Sequence, residues 1–131
     1  SRGETPTPRT RVLLADTMGE MGLWYRLADS VFLGGGHAEG VGGHNPLEPV
    51  RLGRPVVTGP EGFNFATIMD DLEQRGLIRR LKTPKAIGKA LLTMDPPAPE
   101  ALAELNEAAD APMTVTLEAL LPLLPEPGLL Q

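Results

Sequence analysis

The residues best suited to chemistry lie in one glycine-rich run, residues 34–49, which reads GGGHAEGVGGHNPLEP. Six of the ten positions from 34 to 43 are glycine, a residue that tolerates positive φ and lets the backbone approach a ligand closely. Asn45 then has the side chain of a helix N-cap, with Pro46 at the favoured first helical position. Glu48 could close a capping box with Asn45, or its carboxylate could accept hydrogen bonds from ribose hydroxyls, and both interpretations stay open.

A second polar segment, residues 16–22 (DTMGEMG), lies where a predicted strand gives way to a predicted helix. Thr17 and Glu20 have the spacing of a capping box and could serve the helix alone. In a parallel sheet, however, the carboxyl ends of the strands meet at one edge, and ligands bind in the crevice there. We therefore expect this segment and the glycine-rich run to face one crevice, with two helix N-termini suited to a phosphate.

Several common sites are excluded by the residue types. The sequence has no GxxxxGK[ST] phosphate loop, and Glu39 stands where a dinucleotide fingerprint needs its third glycine. His37 and His44 are the only histidines and there is no cysteine, so no metal site is predicted. The only serines are Ser1 and Ser30, so the sequence offers few candidates for the nucleophile of a serine triad. No cofactor is predicted.

Composition bounds the class of protein. The 131 residues are 41% apolar and 22% charged, as expected for one soluble globular domain or part of one. With 12 Lys and Arg against 17 Asp and Glu, the formal charge of −5 argues against non-specific nucleic-acid binding. The absence of cysteine excludes disulfides. The most apolar stretch, residues 117–130, is interrupted by Pro122, Pro125 and Pro127 and is too short to span a bilayer.

The elements that must position the two segments alternate along the chain. Short apolar runs predict strands, and apolar residues at helical spacing, such as Met21, Trp24 and Leu27, predict helices. This alternation predicts an α/β fold, a Rossmann-like parallel sheet flanked by helices. Gly53 and Gly76 should end two of the helices. The predicted strands are residues 11–15, 30–33, 55–58 and 77–81, and the predicted helices are residues 19–28, 45–52, 63–75, 83–93, 100–109 and 113–124.

Four motifs, in order, resemble the C-terminal domain of the bacterial 3-deoxy-D-manno-octulosonic acid (Kdo) transferases, a family of GT-B glycosyltransferases. They are Asp16-Thr-Met-Gly-Glu20, Tyr25-Arg-Leu-Ala-Asp29, Gly42-Gly-His-Asn-Pro-Leu-Glu-Pro49, and Gly59-Pro60 with Asn64-Phe65. The resemblance covers about residues 11–75. It implies that residues 1–10 are a linker or chain end, that 11–94 are part of a Rossmann-like donor-binding domain, and that 95–131 are helices packed on the same domain.

The resemblance also implies a function. The family transfers Kdo from CMP-Kdo to a lipid A precursor at the cytoplasmic face of the bacterial inner membrane. The reaction needs no metal and inverts the configuration of the anomeric centre. Its two Rossmann-like domains form one half each of the GT-B fold, and the C-terminal half holds CMP. The residues implied to bind CMP are Met18, Gly19, Glu20, Asn45, Pro46, Leu47 and Glu48, supported by Thr17, Gly42, Gly43 and His44.

No catalytic residue is assigned to this chain. In the family, the catalytic base and the membrane-anchoring segment belong to the N-terminal domain, so we expect the acceptor and the membrane to be reached only through that domain. The fragment alone is not expected to be active.

Two departures from the family pattern and two alternative functions accompany the resemblance. Gly36 stands where the family usually has serine or threonine, and Val41 where it often has a basic residue.

The first alternative function is the donor domain of another GT-B enzyme that uses a different nucleotide sugar. The second is a non-catalytic interaction module whose glycine loop only turns the chain. An exposed apolar edge is expected where further strands would pair.

Overall fold

The protein is an α/β domain, which a computed structural model describes for residues 5–120 and residue 122. Its sheet has three parallel strands in the order β1-β2-β3, namely β1 (Val31–Leu33), β2 (Val56–Thr58) and β3 (Ile78–Arg80). Val31, Val56 and Ile78 stand side by side in register across the sheet. The predicted Rossmann-like arrangement of a parallel sheet with flanking helices is confirmed.

Five α-helices flank the sheet: α1 (Met21–Leu27), α2 (Leu47–Arg51), α3 (Ala66–Gln74), α4 (Pro84–Thr93) and α5 (Pro99–Leu120). A short 3-10 turn, Phe63–Phe65, leads into α3. Helix α3 packs on β3, α4 packs on β2 and β1, and α2 packs between α1 and α5. The main core is made of Tyr25, Val31, Leu33, Val50, Val56, Met69, Leu72, Leu77, Ile78 and Leu105.

Local sequence signals explain most of these elements. All three residues of β2 are buried, as expected for the central strand of a parallel sheet covered on both faces. Thr58, the one polar residue of β2, donates a 3.0 Å hydrogen bond to the carbonyl of Leu33. Gly53 and Gly76, with φ of 72° and 71°, follow α2 and α3 and confirm the two predicted helix ends.

The strand predicted at residues 11–15 is wrong. These residues form no strand, and Val12 and Leu14 are 86% and 77% exposed. An apolar segment becomes a strand only when a neighbour pairs with its backbone, and in the described part of the chain β1 pairs with β2 alone. In a doubly wound sheet of strand order 3-2-1-4-5-6, strands 4, 5 and 6 are neighbours in sequence order, as β1, β2 and β3 are here. The strand that precedes them in the chain, strand 3, lies at the opposite edge of such a sheet. In that arrangement, residues 11–15 would not lie beside β1.

The unpaired side of β1 agrees with the expected apolar edge. Phe32, in the middle of β1, is 45% exposed. The ring of His37 lies beside it, with the two ring centroids 5.9 Å apart.

The two C-terminal helices predicted at residues 100–109 and 113–124 are a single helix in the described chain, with Pro112 inside it. Proline removes one backbone hydrogen bond, the one to the carbonyl of Ala108. Thr114 and Thr116 donate from their side chains to the carbonyls of Asp110 and Pro112, so they do not replace it. Only the first half packs, against α2 through Leu105 and its neighbours, and residues 107–120 are exposed. The packing on the same domain that the resemblance implied for residues 95–131 is therefore seen, within the described residues, in the first half of α5 only. Residues 121, 123 and 124 lie outside the described residues.

Between residues 5 and 120, none of the helices combines the length and the apolar character needed to cross a membrane.

Candidate functional site

The structure brings the two predicted segments together at α1 and α2. Gly22 lies in the first turn of α1, and Glu48 lies in the first turn of α2. A Cβ atom placed on Gly22 would stand 3.5 Å from Oε1 of Glu48. The predicted proximity of the DTMGEMG segment and the glycine-rich run is therefore seen in the contact of these two helices.

Asn45 caps α2 as predicted, although one residue further from the helix than expected. Its Oδ1 accepts a 3.0 Å hydrogen bond from the amide of Leu47, and Pro46 occupies the N-cap position itself. The capping box with Glu48 does not form: within the described residues, Asn45 Oδ1 accepts from the amide of Leu47 and not from that of Glu48, and the Glu48 carboxylate accepts no hydrogen bond from the amide of Asn45. Glu48 is exposed, Pro46 is buried and Leu47 is half-buried.

The Glu48 carboxylate faces a buried tyrosine and an arginine. Tyr25 is 8% exposed, and burial first, then the negative charge of Glu48, raise the pKa of its hydroxyl. Arg26 reaches back along α1 and donates a 2.8 Å hydrogen bond to the carbonyl of Gly22. A Cβ on Gly22 would stand 3.0 Å from Nη1 of Arg26, so glycine at position 22 leaves room for both charged groups.

The capping box predicted for Thr17 and Glu20 is wrong. The Thr17 hydroxyl donates to the Glu20 carboxylate, and Glu20 occupies the N-cap of α1 without a side-chain bond to the helix. Gly19 between them has φ of 84°, a turn conformation that brings the two side chains together and keeps both from the helix amides. Met18 is 97% exposed at the tip of this turn.

The glycine-rich run is a chain of left-handed turns. Gly35, Gly40, Gly42 and Gly43 have φ between 77° and 80°. Gly42 and Gly43 are buried, and a Cβ on Gly42 would stand 2.6 Å from Nδ2 of Asn64. Glycine at these two positions therefore allows both the left-handed turns and the close packing of the loop.

The loop is held by the segment that follows β2. Asn64 donates from its side chain to the carbonyl of Val41 at 3.0 Å and from its backbone to that of Gly42 at 3.3 Å. Asn64, part of one of the four motifs that carry the family resemblance, therefore holds the glycine-rich run in place.

Position 36 has a structural reason to be glycine. A Cβ there would lie 2.8 Å from the amide nitrogen of Gly59 and 3.0 Å from the carbonyl oxygen of Glu61. The Gly36 carbonyl also accepts a 3.0 Å hydrogen bond from the amide of Glu61. The departure from the family pattern at Gly36 therefore goes with a close contact between the loops after β1 and β2. Sequence reasoning missed this contact, and the only local signal for it was the glycine that follows each strand.

The two histidines have separate structural positions. Nε2 of His37 lies 2.8 Å from the carbonyl oxygen of Leu81, which ties the glycine-rich run to the end of β3. The ring of His44 is exposed and covers Gly35, whose added Cβ would lie 3.0 Å from it. Among residues 5–120, no group of three or more metal-binding side chains comes together.

The helix termini contribute less than expected. Helix α1 has 7 residues and α2 has 5, both shorter than predicted. The helix dipole is a sum over aligned peptide units, so such short helices carry little of it. The N-termini of these two helices therefore offer a bound phosphate little electrostatic stabilisation.

No protein-family model matches this sequence. The chain is 41% identical over 92 residues to the 3-deoxy-D-manno-octulosonic acid transferase of Haemophilus influenzae, covering 70% of this chain and 21% of that protein. It is 37% identical over 105 residues to the transferase of the same name from Bordetella pertussis, covering 79% of this chain and 24% of that protein. The chain thus spans a quarter or less of the length of these curated relatives.

A solved structure extends the comparison to the fold. The crystal structure of the C-terminal CMP-Kdo binding domain of WaaA from Acinetobacter baumannii superimposes with a TM-score of 0.57 at 38% sequence identity. The match covers 74% of this chain and 46% of that one. In sequence and in fold, the chain therefore matches the C-terminal domain of the Kdo transferases, as its motifs predicted.

Proposed function

We propose that this chain is the donor-binding part of a Kdo transferase and that it binds the CMP portion of CMP-Kdo. The observation that carries the proposal is the match, at 38% identity and over 74% of the chain, to a domain described as CMP-Kdo binding. The proposed ligand residues are those that the family resemblance implied, Met18, Gly19, Glu20, Asn45, Pro46, Leu47 and Glu48.

The geometry around α2 supports a ligand role for Glu48. Its carboxylate is exposed, makes no capping bond within the described residues, and lies beside the first turn of α1. A carboxylate in this position can accept hydrogen bonds from both hydroxyls of a ribose.

Asn45 combines both of the roles considered for it. Its Oδ1 is engaged by the amide of Leu47, whereas its Nδ2 donates to no other group in the described part of the chain. That amide group is available to an oxygen of a ribose or a phosphate while the cap remains intact.

The activity of the whole protein is part of the same proposal. A full-length protein containing this chain would transfer Kdo from CMP-Kdo to a lipid A precursor, with the catalytic base and a membrane-anchoring segment supplied by an N-terminal domain. Together the two domains would form a GT-B fold at the cytoplasmic face of the inner membrane. The part of the chain described here would bind and orient the donor.

A second candidate is the donor domain of a different glycosyltransferase. The chain is also 29% identical over 91 residues, 70% of its length, to a bifunctional glycosyltransferase/methyltransferase of Fusobacterium nucleatum. Similarity to this chain therefore extends to a protein that is not named as a Kdo transferase. Base preference separates the two candidates, because a CMP-sugar site should favour cytosine over uracil.

The test is a titration of the isotope-labelled chain with CMP, UMP and AMP, followed by backbone amide NMR. We expect the largest shifts at residues 18–20 and at Asn45, Leu47 and Glu48, strongest with CMP and lost in Glu48→Gln. Glu39→Gln is the matched control, because Glu39 is an exposed glutamate of the same glycine-rich run. Equal shifts with all three nucleotides would favour the second candidate. If no shift appears at these loops with any nucleotide, this chain does not bind CMP by itself, and the titration is repeated on the full-length protein.

A further inference from the structure

The positive charge of this acidic chain is concentrated in one stretch. Six of its 12 Lys and Arg residues lie between positions 75 and 89, and residues 75–94 contain no Asp or Glu. Residues 96–131, by contrast, contain no Lys or Arg. A chain with a formal charge of −5 therefore has one segment of opposite sign.

Ion pairs neutralise two of the six cations. Arg75 pairs with Asp71 at 2.9 Å, and Arg80 pairs with Asp70 at 2.7 Å and with Glu73 at 2.5 Å. The other four cations are exposed and form no ion pair with any residue in the described range 5–120. They are Arg79, Lys82, Lys85 and Lys89, and we name them the basic face.

The four residues of the basic face lie on β3, on α4 and in the connection between them, on the side of the sheet that α4 covers. Ile78 points into the main core beneath α3, so strand alternation directs Arg79 to the other side of the sheet, next to Val57. Val57 and Ala90 are buried outside the main core, which places α4 on that same side. Lys82 lies in the short connection from β3 to α4.

The outer surface of α4 adds an exposed leucine to the basic face. Lys85 and Lys89 are one helical turn apart, and Leu92 follows at the next turn with 87% of its side chain exposed. The opposite surface of the helix, at residues 86, 87, 90 and 91, is half-buried or buried against the sheet. The exposed stripe of α4 thus consists of two lysines followed by a leucine.

We propose that the basic face binds the surface of an anionic lipid bilayer. Lysine and arginine are attracted to anionic headgroups, and an exposed leucine beside them can enter the boundary between headgroups and acyl chains. A phosphate backbone would also attract the four cations, but it offers no apolar layer to Leu92. The leucine therefore favours a bilayer over a nucleic acid.

The test is co-sedimentation of the chain with phosphatidylcholine vesicles that do or do not contain phosphatidylglycerol. Each cation near an anionic surface contributes about 1 kcal/mol, which is about fivefold in the partition coefficient. We expect Lys85→Gln/Lys89→Gln to weaken binding to the anionic vesicles roughly 30-fold. Binding should also weaken as salt rises from about 0.1 M to about 1 M, because the Debye length falls from about 10 Å to about 3 Å.

Matched variants separate the basic face from net charge and from general hydrophobicity. Arg9→Gln/Arg11→Gln removes the same two charges from exposed positions outside the basic face and should leave binding within twofold. Leu92→Ser should weaken binding, whereas Leu14→Ser, at another exposed leucine, should not. All variants change exposed side chains, and a cooperative thermal unfolding transition is required of each before its binding is compared.

Three results would overturn the proposal. The first is binding to anionic vesicles no stronger than binding to pure phosphatidylcholine. The second is an equal loss in the Arg9/Arg11 control and the Lys85/Lys89 variant. The third is binding of a short DNA duplex at the same salt as tightly as the anionic vesicles, with no effect of Leu92→Ser on either.

Discussion

The contact between Gly36 and Gly59 predicts that the domain will not tolerate even one added methyl group there. The two glycines follow β1 and β2, and their backbones touch. A Cβ on Gly59 would overlap the carbonyl group of Gly36 and lie 2.5 Å from Nδ1 of His37. Gly59 does not have a left-handed φ, so the expected cost of Gly59→Ala comes from this close approach alone.

The size of the effect follows from the kind of atoms that are overlapped. Forcing a methyl group into a packed interior costs about 1–3 kcal/mol, with the lower values arising where side chains rotate away. Here the main obstacle is a carbonyl that is already bonded to the amide of Glu61, so we expect about 3 kcal/mol. An unfolding entropy of about 2.1 cal/mol/K per residue over 131 residues converts this loss into a Tm about 10 °C lower.

The assay is thermal and urea unfolding of Gly59→Ala beside the matched variant Gly34→Ala. Gly34 directly follows β1 as Gly59 directly follows β2, has no left-handed φ, and an added Cβ would meet nothing within 4 Å. We expect Gly34→Ala to change the free energy of unfolding by less than about 0.5 kcal/mol. A Gly59→Ala variant as stable as the Gly34→Ala variant would refute the contact between the two loops.

Three further predictions concern single side chains of the site. Asn45→Ala should lower the free energy of unfolding in urea by about 1 kcal/mol through loss of the cap, and Asn45→Asp should retain it. His37→Phe keeps a ring beside β1 but loses the bond to the Leu81 carbonyl, so it should cost about 1 kcal/mol in the same assay. Tyr25 is the only tyrosine, so tyrosinate absorbance reports its pKa directly, and Glu48→Gln should lower this pKa without restoring the ordinary value, because burial is the larger cause. Since the folded pKa is above the unfolded value of 10.0, the contribution of Tyr25 to stability is complete below pH 10 and is lost as the pH rises through the folded pKa.

The parts of the fold that could be predicted depend on local signals. The buried run of β2 needs no knowledge of its neighbours, and neither do Gly53 and Gly76, where only a residue tolerant of positive φ continues the chain. The errors occurred where the outcome depends on a partner. Among the described residues, 11–15 have the composition of a strand but pair with no other strand, and 107–120 are helical but exposed.

The candidate site shows the same division. The positions of the two segments followed from the rule that parallel strands end at one edge, and the contact of Gly22 with Glu48 agrees with it. The side-chain bonding did not follow, because Thr17 and Glu20 have the spacing of a capping box whether or not a turn at Gly19 intervenes. Capping motifs specify which groups could bond, and the backbone between them decides which do.

Glu48 is the residue for which this distinction bears most on function. The sequence left its carboxylate equally suited to a cap and to a ribose, and Asn45 alone caps α2. The carboxylate lies close enough to raise the pKa of Tyr25. If CMP binds at Glu48, it covers Tyr25 further and brings a negatively charged phosphate near it, and both effects disfavour the tyrosinate. Saturating CMP should therefore raise the pKa of Tyr25 further, while AMP should leave it unchanged. A tyrosine titration that CMP does not shift, in a chain whose amide spectrum shows CMP bound elsewhere, would contradict the assignment of Glu48 to the ribose.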